Sequence, residues 1–567
     1  MRTSLNKQLN QTNLFTKPSR SFASSFSSML ILANSLTIIA GIVYLLIDSS
    51  NGLWNIYGIF MMLTLLGNFI VAAIPSNQKG LDYFYLTFTI LIMLLLPILN
   101  SIASFDPLNT TSRSMVSIIL LLSLFILGGI IAGTTRKSLN NMGYIRFSNT
   151  MTQDKKGFFH ILMISLWILC LLLGAYVSFL LIRGENNGSI VELFVPGYAL
   201  FFSLITLAIV ALILRMRTGK NLSFISIITS IIGIAVSITF SVPLVTTVLT
   251  FSEMENDFSN TLNEADQNSL TDSMTDTFLD VPFSLPAYFF GLSTENYNLE
   301  QDTLFYSGTE GVDEGIELHF DAYLPTSNPA QLPGNSSVLI RIHGGGWTIG
   351  DKGSSNNAAV NKYFASQGYV VFDIQYGLSS EDKFVEFAPV PENIVADFSL
   401  DDMVRHIGLF TNYLVENNDD YNANLDSVFI SGASAGGQLA NAAGLGLTSE
   451  NYQDVLNPEL DVNGIIPIYP ANGLAKNIGI AGSDSFMDTS LLVKEDSPPA
   501  LIFQGDADGI VDASISRDFY EAYRENGNEQ ATLLMMPYAG HNGDYYFASY
   551  YNQAFIYYME RFMYVNK

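Results

Sequence analysis

The chain has 567 residues, a formal net charge of −26, 49% hydrophobic residues and a mean hydropathy of +0.29. That is too apolar for an ordinary water-soluble enzyme and too acidic to bind nucleic acid, whose phosphates need clustered Lys and Arg. The charge is uneven: 15 Lys and Arg against 6 Asp and Glu precede residue 252, and 11 against 46 follow it, so a slightly basic apolar half leads into a strongly acidic one.

Seven apolar runs long enough to cross a bilayer, about 20 residues each, lie before residue 252: Phe26 to Ile47, Leu53 to Ile74, Tyr83 to Phe105, Met115 to Ala132, Phe158 to Ile182, Val191 to Leu214 and Ser223 to Phe251. The first has a long polar lead and no small-residue cleavage site after it, so it reads as a retained helix rather than a signal peptide. Lys and Arg resist translocation. They collect before the first run (Arg2, Lys7, Lys17, Arg20), after the fourth (Arg136, Lys137, Arg146, Lys155, Lys156) and after the sixth (Arg215, Arg217, Lys220). The alternate connections are nearly free of basic residues, so an inside N-terminus and seven crossings place everything after Phe251 outside.

The runs hold almost no ionisable residue, the usual mark of an ion or substrate path. Glu192 and His160 sit at helix ends, Asn34 and Asn68 read as interhelical hydrogen-bonders, and Pro97, Pro196 and Pro243 as kinks. Seven helices exceed what anchoring requires. The single cysteine, Cys170, lies in the fifth run, which leaves the acidic half without disulfides and dependent on its core.

Residues 252–280 carry eight acids and no base, the composition of a solvated spacer or polar helix. The apolar stretch 281–290 that follows reads as a segment packed onto the next domain, with a lid near a substrate pocket as the alternative. From about residue 297 strands and helices alternate. Ile316 to Leu324, Ser337 to Ile342 and Tyr369 to Ile374 read as strands and Pro391 to Glu416 as helical, which predicts a mostly parallel sheet covered on both faces.

In such sheets function gathers at the C-terminal ends of strands. At one end stands His343-Gly344-Gly345-Gly346-Trp347, a glycine run that leaves amides unshielded. About ninety residues later the strand Val428 to Ser431 breaks into Gly432-Ala433-Ser434-Ala435-Gly436, the G-x-S-x-G spacing of a nucleophile elbow. The strand Pro498 to Gln504 leads into Gly505-Asp506-Ala507-Asp508-Gly509, where Asp508 is the first candidate to orient a histidine and Asp506 and Asp512 are rivals. Of five histidines only His541, in Gly540-His541-Asn542-Gly543, follows Ser434.

The order Ser434, Asp508, His541 is that of α/β-hydrolases. Residues from about 300 to 567 resemble the carboxylesterases of the hormone-sensitive-lipase-like branch and the related bacterial acetyl-, feruloyl- and sterol-esterase group. Departures occur at Gln375 and Gly377, where Asp and Arg are usual, and at Gln504, where His is frequent. The resemblance implies a Ser434–His541–Asp508 triad, an oxyanion hole from the amides of Gly345, Gly346 and Ala435, and no cofactor or metal.

The expected architecture is an α-helical transmembrane domain (1–251), an acidic linker (252–284) and an α/β-hydrolase domain (285–567). The expected activity is cleavage of carboxylic esters of small molecules, lipids or glycans outside the cell membrane. An acyltransferase using the same triad and a catalytically silent binding module are the alternatives.

Overall fold

The computed structural model describes the chain apart from residues 1–16, 49–50, 75–77, 142–157, 185–187, 217–223, 272, 354–356, 384, 387, 450–451 and 453. Seven long helices come first: α1 (Lys17–Ile47), α2 (Trp54–Ala73), α3 (Lys79–Phe105), α4 (Met115–Asn141), α5 (Phe158–Arg183), α6 (Ile190–Met216) and α7 (Phe224–Asn260). Each is long and apolar enough to cross a membrane. A helix apolar all round needs an apolar surrounding on every side. In α6 78% of the most apolar window is buried, against 22% in α5, so α6 is the bundle's central helix and the others keep apolar side chains on the outside.

Asn34 and Asn68 exchange two 2.9 Å hydrogen bonds across α1 and α2, as expected of interhelical pairs. Arg215 corrects the sequence reading. It is no loop charge but lies fully buried in the last turn of α6, its guanidinium 2.7–2.8 Å from Asp82 at the start of α3. Arg2, Lys7, Arg146, Lys155, Lys156, Arg217 and Lys220 lie outside the described residues.

The C-terminal half holds an eight-stranded sheet: β1 (Tyr297–Ser307), β2 (Glu317–Pro325), β3 (Ser337–Ile342), β4 (Val370–Ile374), β5 (Asn424–Ala433), β6 (Val462–Ile468), β7 (Ala500–Gly505) and β8 (Ala531–Met536). Its order is β1-β2-β4-β3-β5-β6-β7-β8, with β1 and β2 antiparallel at one edge and the rest parallel. The central strands are buried on both faces, as parallel strands are.

Alternation along each strand splits the core in two. Val338, Ile340, Ile342, Phe372, Ile430 and Ile502 pack with α10 (Leu400–Tyr421), α11 (Ala435–Leu447) and α12 (Ala513–Glu525). Leu339, Val371, Phe429, Leu501, Phe503 and Leu534 pack with α9 (Asn357–Ser366) and α13 (Tyr550–Asn566), in a cluster continuous with the long helices. The helix expected from Pro391 starts at Leu400, because Ser399 and Asp402 form a capping box there, and it ends at Asn422 in a left-handed turn.

The stretch 252–280 is largely the polar helix expected, with Glu264–Ser269 helical and free of buried residues, but its two ends are docked rather than solvated. α7 continues to Asn260, and Met254, Phe258, Phe278 and Leu279 are buried, Phe258 against Tyr558 and Phe278 against Tyr564. The apolar segment that follows forms α8 (Leu285–Phe290), wedged between the two halves. Tyr288 stacks on Phe201 of α6 and on Tyr550 of α13, and the Ser284 and Leu285 amides donate to Gln553 and Asn55. This agrees with the packed-segment expectation and leaves no lid here.

The hydrolase half meets the base-poor connections of the bundle. Val281 lies against Gly52, Lys362 donates to the Asp106 and Asn109 carbonyls at 3.0 and 3.1 Å, and Ile510 lies against Gly188.

Candidate active site

Strand β5 ends at Ala433 and α11 starts at Ala435. Between them Ser434 takes φ 58°, ψ −122°, a region costly for a residue with a side chain and held only where the surroundings dictate it. Its amide donates to the Ile468 carbonyl at 2.9 Å, and its carbonyl accepts from Gln438 and Ala471 at 3.0 and 3.1 Å. The flanking glycines are steric requirements: a Cβ on Gly432 would stand 2.2 Å from the Gly436 carbonyl oxygen, and one on Gly436 would stand 2.3 Å from that of Ile342.

The elbow presents Ser434 to the loops after β7 and β8. His541 Nε2 lies 2.8 Å from Ser434 Oγ, and His541 Nδ1 lies 2.8 Å from Asp508 Oδ2. Asp508 Oδ1 accepts the amides of Ile510 and Val511, which fixes the carboxylate in its turn. Its rivals are used elsewhere: Asp506 accepts the Tyr538 amide, and Asp512 caps α12 through Ser514. The structure thus brings Ser434, His541 and Asp508 into one hydrogen-bonded line.

The glycine run lies beside the nucleophile, since a Cβ on Gly344 would come 3.3 Å from Ser434 Cβ. Gly345 and Gly346 have φ 122° and 58°, and neither amide donates to a backbone carbonyl of a described residue. Ala435 opens α11, where first-turn amides lack intrahelical partners. His343 lies beneath this loop, its ring stacked 4.5 Å from that of Tyr376, and burial pushes its pKa down. His406 is likewise committed, to the Gly377 amide and the Asp313 carboxylate.

Each departure from the esterase pattern has a physical account. A Cβ on Gly377 would stand 2.5–2.6 Å from Phe398 and His406, which occupy the space a longer side chain would need. Gln375 bridges the Asp351 carboxylate and the His319 amide. Gln504, fully buried, donates to Asp508 Oδ2 at 3.3 Å and accepts from Ser516, so it holds the acid in place.

Two residues, Arg341 and Tyr469, escape the sequence reading, and a third, Glu192, has contacts that its helix-end position does not show. Arg341, a lone charge on the buried strand β3, donates to Ser431 Oγ at 2.7 Å beneath the elbow. Tyr469 stacks 4.5 Å from the His541 ring and donates to Asp544 at 2.7 Å; burial, chiefly, raises both of their pKa values. Glu192, in the first turn of α6, accepts the Gly509 amide at 2.5 Å and the Gly188 amide at 3.1 Å. On its other side Gly540 presses so close that a Cβ there would stand 2.3 Å from the Glu192 carbonyl oxygen. Glu192 therefore sits between the residue after Asp508 and the residue before His541. Its placement at a helix end was visible in the sequence; its partner, 317 residues away, was not.

Sheet order and elbow define an α/β-hydrolase domain following a seven-helix region. Residues 320–485, which hold the glycine run and the elbow but neither Asp508 nor His541, match the BD-FAE family model. The chain is similar to the probable carboxylic ester hydrolase LipM of Mycobacterium tuberculosis (23% identical, covering 38% of this chain and 51% of the relative). It is also similar to the esterase LipC of that organism (24%, 36% and 53%). The chain thus spans about half the length of these curated relatives. Among solved structures it is similar to esterase B of Lactobacillus rhamnosis (18% identical, 54% of this chain and 89% of that one, TM-score 0.35) and Thermogutta terrifontis esterase 2 (20%, 47% and 91%, TM-score 0.35).

Proposed function

We propose that this chain is a multi-pass membrane ester hydrolase working through a Ser434–His541–Asp508 triad. The observation that carries this is the line Ser434 Oγ–His541 Nε2–Asp508 at two successive 2.8 Å contacts. His541 takes the Ser434 proton as Oγ attacks the ester carbonyl, then gives it to the departing alkoxide, leaving an acyl-serine. Water, activated by the same imidazole, adds to the acyl carbonyl and releases the carboxylic acid. Asp508 accepts from Nδ1 and stabilises the imidazolium. The amides of Gly345, Gly346 and Ala435 receive the oxyanion, each donor being worth on the order of 3 kcal/mol of barrier.

The proposed organisation is a membrane part over 1–251, a connection over 252–284 and the hydrolase over 285–567. The N-terminus is cytoplasmic and the hydrolase faces outward. Its contacts with the base-poor connections support that orientation. A periplasm- or surface-active reporter fused after Lys567 is expected to work, and a cytoplasm-only reporter there to stay silent.

The test of activity uses the full chain in vesicles. Turnover of p-nitrophenyl acetate is expected, falling roughly 10⁴-fold or more in Ser434→Ala. A folded protein that turns over no ester would contradict the reading, and acyl transfer occurring only with an added alcohol acceptor would favour the transferase alternative.

A further inference from the structure

The loops that carry Asp508 and His541 rest on the ends of the long helices that the base-poor connections join. Gly540, next to His541, packs against Glu192 in the first turn of α6, and the Gly509 amide is held by its carboxylate. Tyr545, four residues past His541, takes the edges of Phe105, which ends α3, and Phe194, in the first turn of α6, at centroid distances of 5.1 and 5.2 Å. Trp and Tyr, whose rings have an apolar body and a polar tip, gather where hydrocarbon gives way to headgroups, and Tyr545 stands at this end of α3 and α6. Trp54, half-buried at the start of α2, lies at this end of the bundle too.

The outward-facing surface begins at the same place. Ile190, two residues before Glu192, is 77% exposed, and Ile182, in the last turn of α5, is 41% exposed. They carry to the helix ends the contiguous exposed apolar surface of the bundle, a surface of the kind that meets a membrane. A cavity with scarcely room for one water lies between the ends of α5 and α6 and the loops after β7 and β8, lined by Leu180, Leu181, Val191, Pro196 and Glu192, with Ala507 and Tyr538 opposite. The Ser434 hydroxyl is separated from the first turn of α6 by one imidazole and one glycine. The headgroup layer is about 5–8 Å deep on each side of a roughly 30 Å hydrocarbon core. Acyl esters of membrane lipids join tail to headgroup and therefore lie at that boundary.

From this placement we propose that the ester cleaved belongs to a lipid of the surrounding bilayer, presented to Ser434 with its carbonyl at the hydrocarbon–headgroup boundary. The inference rests on the triad reading above and names its substrate class. The acyl–oxygen bond breaks, the lipid alkoxide takes the proton from His541 and leaves as a lysolipid, and water supplies the oxygen with which the acyl group leaves as a fatty acid.

The experiment reconstitutes the full chain in phosphatidylcholine–phosphatidylglycerol vesicles carrying acyl-labelled phospholipid, with p-nitrophenyl acetate added in parallel. The expected result is release of labelled fatty acid, lost completely in Ser434→Ala. Turnover of p-nitrophenyl acetate, or of an acetylated glycan, with no fatty acid released would overturn the substrate assignment and leave the triad standing. If neither ester is cleaved by the folded chain, the triad reading and this inference fall together.

Discussion

The two faces of the sheet are built alike and finished differently. On one, Val338, Ile340 and Phe372 meet α10, α11 and α12, and the hydrolase closes its own core. On the other, Leu339, Val371 and Phe429 meet α9 and α13, whose outer sides continue into the long helices through Tyr288, Phe201 and Tyr546. A face completed by another part of the chain is a structural dependence. The seven helices make contacts that anchoring does not require: they supply the outer layer of one sheet face and, through Glu192, touch the loops that carry Asp508 and His541.

The largest effect is expected when one partner of the shared face is removed. Residues 285–567 expressed alone expose the apolar side of α8 and α13, and the expected outcome is aggregation that detergent or an added helical half relieves; a soluble monomer of full activity would refute the dependence.

Next, Tyr288→Ala empties a fully buried site between the halves, and truncating a buried aromatic costs about 3–5 kcal/mol. Phe410→Ala costs a similar amount on the closed face, where Phe410 touches Phe305, Phe320 and Phe372. Both are expected to lower the unfolding midpoint, but only Tyr288→Ala should speed proteolysis within 252–284.

A smaller effect is expected at Glu192→Ala, which leaves the Gly509 amide without its acceptor, a loss of about 1–3 kcal/mol. Its expected signature is a fall of about tenfold or more in kcat with KM nearly unchanged, and partial recovery in Glu192→Gln, which keeps an acceptor. An unchanged kcat would show that the catalytic loops stand without α6.

The smallest effect is a pH dependence on the shared face. Burial raises the Glu560 pKa from 4.5 to about 7, against the pull of Arg561, while its oxygens accept from the Leu279 amide, Tyr363 and Arg561. Because the folded pKa is the higher one, the folded state holds more protons between these values. Stability from this group is complete below about 4.5 and is lost as pH rises through 7. Glu560→Gln is therefore expected to hold its unfolding midpoint better than the parent as pH rises from 5 to 8, with the gap closing at the acid end.

Much of this was legible in the sequence because it is local. The seven spans are runs of apolar residues, the elbow is five adjacent residues, and His541 stands alone after Ser434. The two sheet faces were implied by alternation, since Val338, Ile340 and Ile342 differ from Leu339 only in parity. Contacts across hundreds of residues leave no local trace. Glu192 and Gly509 read as a helix-end acid and a loop glycine. Arg215 reads as a loop charge because hydropathy does not show whether a terminal arginine turns back to Asp82. The acidic stretch 252–280 reads by its charges as spacer or polar helix, and the sparse apolar residues that dock its ends, Met254, Phe258, Phe278 and Leu279, are too few to alter its composition.

The most direct test of the central claim is the reaction of the full chain with a fluorophosphonate, which reports an activated serine whatever the ester. The expected result is one modified peptide, carrying Ser434, absent in Ser434→Ala and strongly slowed in His541→Ala. A folded chain that is not labelled, or labelling that survives Ser434→Ala, would contradict it.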